Sequence, residues 1–157
     1  MKGHLPVTDI LDHADSCCRK NQVRLTAIRR NVLSLMLSED KALSAYEIIS
    51  IFKEKFHKTL TPMTAYRTLE FLEEYQLVHR LKTANKYVAC AHIGSECSHD
   101  LPHFYICQQC LKVDEINTAS HLKLEALNVE AKQKGYQLES PQIELSGICN
   151  KCATVLT

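Results

Sequence analysis

Apolar residues in the first half of the chain recur at helical spacing in four separate runs. The first, over residues 6–22, carries Ile10, Leu11, Ala14, Cys17 and Cys18 on one side. Residues three and four apart share a helix face, so this run predicts a helix with both cysteines among its buried side chains. The second, at 27–37, turns Ile28, Val32, Leu35 and Met36 inward and follows Thr26, a residue able to cap the free N–H groups of a first turn. The third opens on Ser44 with Glu47 three residues on, the pattern of a reciprocal cap, and continues through Ala45, Ile48, Ile49, Phe52 and Phe56. The fourth begins at Thr61-Pro62, with proline in the turn where its missing N–H is harmless, and runs to about Tyr75. The spacing then changes. Residues 77–81 and 86–90 read as short strands around a turn at Thr83-Ala-Asn. Helices closed by such a hairpin predict a winged helix-turn-helix over residues 1–90.

Residues 91–102 are polar, with Gly, Pro and several His and Cys, and predict a hinge. Beyond it, 103–107 and 112–116 read as strands. Thr118 and Gly135 bracket a helix at about 119–134, and 136–145 reads as a strand broken near Ser140-Pro141. The expected fold class is α+β: a winged-helix domain, the hinge, and a small α/β domain over 103–157.

Composition narrows the setting. The chain has 157 residues, 45% apolar and 24% charged, which suits one or two small globular domains. No apolar run approaches the roughly 18–20 residues of a membrane span. The first ten residues lack the apolar core and cleavage site of a signal peptide. A cytoplasmic protein with reduced thiols is therefore expected. Net charge is +1, but residues 1–82 hold 13 Lys/Arg against 10 Asp/Glu, whereas residues 83–157 hold 6 against 8. A mildly basic front half and an acidic back half fit a nucleic-acid reader joined to something else.

The strongest chemical signal lies among the eight cysteines. Cys107/Cys110 and Cys149/Cys152 form two Cys-x-x-Cys pairs. Each turn can offer two thiolates to one ion, and two turns close a tetrahedral shell with no open position, so the zinc they imply is structural. Two disulfides or two redox dithiols are the alternatives. A second group of ligand types crowds residues 79–115: His79, Cys90, His92, Cys97, His99, His103 and Glu115. Ligands drawn from both sides of a hinge would make its freedom depend on metal occupancy, as a metal switch requires.

The fourth helix has two faces. Ala65, Thr68, Leu69, Leu72 and Tyr75 form the core side; Met63, Tyr66, Arg67, Glu70 and Glu74 lie opposite. A recognition helix presents its first turns to the major groove, where Arg can pair with guanine or bind phosphate and Tyr can pack on a thymine methyl. A solvated face with one exposed tyrosine is the plainer alternative.

Taken together, the segments Val23-Arg-Leu-Thr26 with Arg29, Ser44-Ala-Tyr46, Pro62-Met-Thr-Ala-Tyr-Arg67, Leu77-Val-His79, Asn85-Lys-Tyr-Val-Ala-Cys90, Phe104-Tyr-Ile-Cys107, Cys110 and Gly147-Ile-Cys149 resemble the ferric uptake regulator superfamily, and most of all its zinc uptake branch. The resemblance implies a homodimeric repressor whose 103–157 domain holds the dimer together. It would bind pseudo-palindromic, double-stranded operator DNA when zinc is plentiful and control zinc-uptake genes. It implies two zinc ions per chain: a structural one on Cys107, Cys110, Cys149 and Cys152, and a regulatory one on His79, Cys90, Glu115 and a hinge histidine, His103 or alternatively His99. It implies DNA contacts from Tyr66 and Arg67, with Arg24 and Thr64 in the same matched segments. Zinc rather than iron follows from the thiolate at Cys90, since iron-sensing sites lean on carboxylate and imidazole. An iron or peroxide sensor of the same superfamily is the nearest alternative, and a zinc-ribbon adaptor the alternative from another class. An enzyme is not expected, nor a small-molecule substrate or a membrane. A zinc deaminase needs His-x-Glu and Pro-Cys-x-x-Cys, neither of which occurs, and a redox Cys-x-x-Cys belongs at a helix N-terminus.

Overall fold

The computed structural model describes residues 5–94, 101–116, 124–139 and 141–155. In chain order the elements are α1 (Val7–Lys20), α2 (Ala27–Leu37), α3 (Ala45–Phe56), α4 (Pro62–Glu74), β1 (Val78–Leu81), β2 (Lys86–Ala89), β3 (His103–Cys107), β4 (Val113–Ile116), α5 (Leu124–Gln133), β5 (Ile143–Gly147) and α6 (Asn150–Val155). They divide into two compact units, Met1–Ser95 and Glu96–Thr157.

The first unit packs α1–α4 and the β1–β2 hairpin around one apolar core. Val32, Leu33, Ile48, Leu69, Leu72 and Val78 are all fully buried, each contributing roughly 1.5–3 kcal/mol of transfer free energy. The starts of α2, α3 and α4 follow the sequence closely because each carries its own side-chain cap, whereas α1 starts behind Pro6 without one. Thr26 accepts from the Arg29 N–H, Thr61 accepts from the Thr64 N–H with Pro62 behind it, and Ser44 and Glu47 form the reciprocal box. The hairpin turn is closed by Asn85 at φ 49°, a left-handed conformation that asparagine tolerates better than most residues. The segment before α3 adds a third strand-like contact: Leu43 and Tyr87 exchange backbone hydrogen bonds at 2.9 and 2.7 Å.

Two side chains in this unit depart from expectation. Cys18 is buried on α1 with Leu11 and Ala14, but Cys17 is exposed. The 11–14–18 spacing fills the face that meets α2, and Cys17 sits one residue to its side. Ile28 is also exposed rather than inward, because α2 buries Val32, Leu33, Leu35 and Met36, one turn further along.

The second unit is a three-stranded sheet in the order β4-β3-β5 with two helices. β4 runs antiparallel to β3, with Phe104 opposite Glu115 and His103 opposite Ile116. β5 runs parallel to β3, with His103 opposite Ile143 and Cys107 opposite Gly147. The expected strand over 136–145 is in fact confined to Ile143–Gly147, since Tyr136 and Leu138 stay exposed and only the stretch after Pro141 reaches β3. The Thr118 cap expected for α5 lies outside the described residues. The short helix α6 had no counterpart in the sequence pattern. No helix among the described residues is long and apolar enough to cross a membrane.

Glu47 ties the third helix to the hairpin. Its carboxylate accepts from the Ser44 N–H at 2.7 Å and from Lys86 Nζ at 2.8 Å. The Lys86 hydrogen bond, followed by that of the Ser44 N–H, lowers its pKa to about 2. A depressed carboxylate stabilises the fold above its ordinary pKa near 4.5, and that contribution disappears as the pH falls toward 2. Glu47 is partly exposed, so solvent screening limits the pair itself to about 0.2–1 kcal/mol, with about 0.5–2 kcal/mol more from the cap. Glu47→Ala should therefore cost about 1–2 kcal/mol in chemical denaturation at pH 7, and Glu47→Gln, which keeps the cap, about half as much. The gap between wild type and Glu47→Gln should close between pH 4.5 and pH 2. A gap that stays constant across that range would remove the ion pair from the account.

Candidate metal centres and nucleic-acid interface

The parallel pairing of β3 with β5 brings together the two cysteine pairs, which are far apart in sequence. Both strands finish at the same end of the sheet: Cys107 closes β3 opposite Gly147 of β5, and the Gln108 N–H donates to the Gly147 carbonyl at 2.9 Å. The first knuckle turns back through Leu111, at φ 59°, whose N–H donates to the Cys107 carbonyl at 3.0 Å. The second knuckle continues from β5 into α6, which carries Cys152. The sulfurs of Cys107, Cys110, Cys149 and Cys152 all lie within 4.8 Å of one another.

The geometry of the set fits zinc. Tetrahedral bonds of about 2.3 Å to sulfur place the sulfurs about 3.8 Å apart, and Cys110 and Cys149 stand 3.8 Å apart. Disulfide sulfurs would be bonded at about 2.05 Å. The electrostatics agree. The Cys110 backbone N–H, followed by the Cys149 N–H at 3.3 Å, draws the Cys107 pKa down to about 6. The hydrogen bond with Cys149, together with desolvation, pushes Cys152 up to about 12. Four thiolates cannot coexist here unless a cation neutralises them. The residues present can hold a closed four-sulfur zinc site.

A second pair of donors sits on the hairpin of the first unit. His79 lies on β1 and Cys90 directly follows β2. Both are buried, and their ligand atoms lie within 4.8 Å of each other. The His92 N–H donates to Cys90 Sγ at 3.4 Å. Short backbone bonds connect this pair to the end of α4: the Leu77 N–H donates to Leu72 at 2.8 Å, and the Cys90 N–H to Leu77 at 3.0 Å. The support from His92 was not legible in sequence, where His92 counted only as one more ligand type.

In the second unit, the β3–β4 register does not fit joint ligation by His103 and Glu115. Residues opposite each other in an antiparallel pair share a face, and successive residues alternate. Glu115 therefore shares a face with Phe104, and His103 lies on the other with Ile116 and Ile143. His103 is buried, and neither ring nitrogen has a hydrogen-bond partner among the described residues. His99 and Cys97 lie outside the described residues.

The candidate DNA face is on α4. Ala65, Thr68, Leu69 and Leu72 are buried, while Tyr66 and Arg67 are exposed on the opposite side. Arg24 is exposed in the loop before α2. Thr64 is half-buried, and its hydroxyl meets that of Thr61 at 2.9 Å, so it belongs partly to the helix cap.

Comparison with known proteins places this geometry. The ferric uptake regulator family profile matches residues 20–146. The zinc uptake regulation protein of Escherichia coli (strain K12) is 34% identical over 147 residues, covering 94% of this chain and 83% of that protein. The ferric uptake regulation protein of Bacillus subtilis (strain 168) is 26% identical over 143 residues, 90% of this chain and 93% of that one. Among solved structures, a zinc uptake regulator complexed with zinc and DNA superposes with a TM-score of 0.84 at 30% identity, covering 98% of this chain and 99% of that chain. The holo form of XcZur gives 0.78 at 32% identity, with 93% and 98% covered.

A closed four-sulfur site implies that losing one sulfur is a folding defect, because the metal-binding free energy of such a site is folding free energy. Cys149→Ser should lose zinc and the fold of the second unit, read as reduced zinc per chain and rapid amide exchange in β3, β4 and β5. A variant that keeps its zinc and its exchange protection would refute the four-cysteine site.

Proposed function

The chain belongs to the ferric uptake regulator family, and on that premise we propose a zinc-responsive repressor that binds operator DNA as a homodimer when its regulatory zinc site is filled and so controls zinc-uptake genes. The observation that carries this reading is the buried His79–Cys90 pair at the foot of the DNA-reading helix. A thiolate and an imidazole form a soft set that suits zinc, while iron sensing leans on harder donors. The sequence likeness points the same way, with higher identity to the zinc uptake regulator than to the ferric one.

Each chain would hold two zinc ions. Cys107, Cys110, Cys149 and Cys152 hold the structural one. His79, Cys90, Glu115 and a hinge histidine hold the regulatory one. The β3–β4 register separates His103 from Glu115, which makes His99 the better fourth ligand. Zinc supplies a divalent charge that neutralises thiolates and fixes donor directions without redox chemistry of its own. At His79 and Cys90 it stiffens the hairpin next to α4. Shared with ligands beyond residues 91–102, it also reduces the freedom of that hinge. DNA affinity then rises with the fraction of competent conformers; a change from roughly 1% to near 100% amounts to about 2.7 kcal/mol. Tyr66 and Arg67 enter the groove, with Arg24 and Thr64 alongside.

The dimer is supported by how little the second unit buries alone. Tyr105 and Leu145, paired across β3 and β5, are 50% and 48% exposed, Val129 on α5 is 57% exposed, and β5 is an edge strand. A second copy would cover that surface. The reading assigns no catalysis, and a regulator of this kind works in the cytoplasm where its DNA is.

Purified reduced protein should carry two zinc ions per chain, one removed by a mild chelator; a single non-exchangeable zinc under excess metal would sink the two-site reading. Cys90→Ser should fold, dimerise and keep its structural zinc, yet lose zinc-dependent DNA binding. Titration of a DNA duplex with and without free zinc tests this, and a mutant that responds like wild type removes Cys90 from the site. Linkage requires that the same duplex tighten the exchangeable zinc by the same factor. Arg67→Ala should cost roughly 1–3 kcal/mol in affinity with zinc content unchanged; unchanged affinity would take α4 out of the interface.

A further inference from the structure

One cation in the first unit bridges two elements that the DNA reading uses separately. Arg29 lies one turn into α2. Its guanidinium carbon stands 3.5 Å above the centre of the Phe71 ring, within the range of a cation–π contact. Its Nη1 donates to the Arg24 carbonyl at 2.7 Å, a charge-assisted bond that reaches five residues back along the chain. Phe71 lies on α4 four residues after Arg67, hence on the same stripe of the helix, and is steadied by Tyr75 with ring centres 4.7 Å apart. Arg24, Arg29, Phe71 and Arg67 thus form a continuous series from the loop before α2 to the exposed face of the recognition helix.

This arrangement does more than fill space. Arg29 is only half-buried and Arg24 is exposed, so neither is needed to complete the core. The bond from Arg29 goes to the backbone of Arg24 and leaves that residue's own guanidinium unoccupied by Arg29. A loop residue whose carbonyl is held by Arg29, itself stacked on the Phe71 ring of α4, keeps a defined place relative to Arg67. Two cations at fixed separation engage two phosphates, or a groove edge and a phosphate, without first losing the entropy of a mobile loop. Lysine could make one of the two contacts but not both, because it lacks the planar fork.

We propose that Arg29 is a positioning residue that sets Arg24 in register with Arg67 for DNA binding. This rests on the reading of α4 and Arg24 as the DNA interface. The test uses full-length zinc-loaded protein and a duplex that the wild type has selected from a random pool. Affinity is measured over a range of salt for Arg24→Ala, Arg29→Lys, the double variant, Phe71→Tyr and Arg67→Ala. Arg29→Lys and Arg24→Ala should each weaken binding roughly tenfold, as expected for loss of a charge-assisted contact, and each should lower the salt slope by about one. The double variant should bind no more weakly than the weaker single variant, since both act through one contact. Phe71→Tyr keeps the ring and should stay within about twofold of wild type. Thermal melting, read alongside, should place Arg29→Lys well folded at the binding temperature.

If Arg29→Lys binds like wild type while Arg24→Ala and Arg67→Ala are weak, the positioning role is refuted and the interface stands. If the effects of Arg24→Ala and Arg29→Lys multiply in the double variant, Arg29 acts on its own and the proposal fails. If neither Arg24→Ala nor Arg67→Ala weakens binding, the interface reading itself fails and takes this one with it.

Discussion

Four thiols gathered within 4.8 Å of one another cannot all ionise in water or protein unless a cation shares them. That constraint governs the second unit. Cys107 is held toward the thiolate by backbone N–H groups and Cys152 toward the thiol by its neighbours, so the set without metal is a compromise of charge and proton. Zinc bound by Cys107, Cys110, Cys149 and Cys152 would resolve the compromise in favour of four thiolates. The strands are arranged to make this possible, with β3 and β5 parallel and ending together. Little else holds the unit: among its described residues only His103, Phe104, Ile106 and Cys107 are buried. A core that small needs a staple, and the metal supplies one.

The first unit follows the opposite logic. Its stability comes from a continuous apolar core and from caps that satisfy the starts of α2, α3 and α4 locally. Its core is continuous and apolar, so in the proposed reading the donors His79 and Cys90 serve a purpose other than filling it. His79 and Cys90 occur where the hairpin meets the end of α4, two backbone hydrogen bonds from Leu72. In the proposed reading, a metal held at that point would constrain the helix assigned to DNA binding. The two candidate donor sets thus differ in what surrounds them: the four cysteines stand where the second unit has little core, whereas His79 and Cys90 rest on a core already built.

The first unit was largely legible in the sequence because its signals are local. Caps at Thr26, Ser44 and Thr61, proline at 62 and asparagine at 85 each act within a few residues, and they fixed the element starts. The errors were errors of phase. A helical wheel gives the apolar stripe but not which edge of it meets the neighbouring helix, so it puts Cys17 and Ile28 on the inner side although both are exposed. The Leu43–Tyr87 bridge and the Arg29 contacts left no local pattern, because each joins residues tens of positions apart or through a backbone carbonyl.

The cysteine spacing by itself determined that two pairs of thiols exist and that zinc suits them. It could not say how they meet. Only the tertiary structure decided that β5 runs parallel to β3, which brings Cys149 and Cys152 to Cys107 and Cys110. Likewise the sequence offers His79, Cys90, Glu115 and a hinge histidine as ligand types, with His103 put before His99, whereas the antiparallel register of β3 on β4 sets His103 and Glu115 on opposite faces. The physical reason is common to both. Residue type and short-range spacing fix chemistry and local conformation, whereas the facing of side chains across a sheet depends on strand direction and register, which come from packing between segments far apart in the chain.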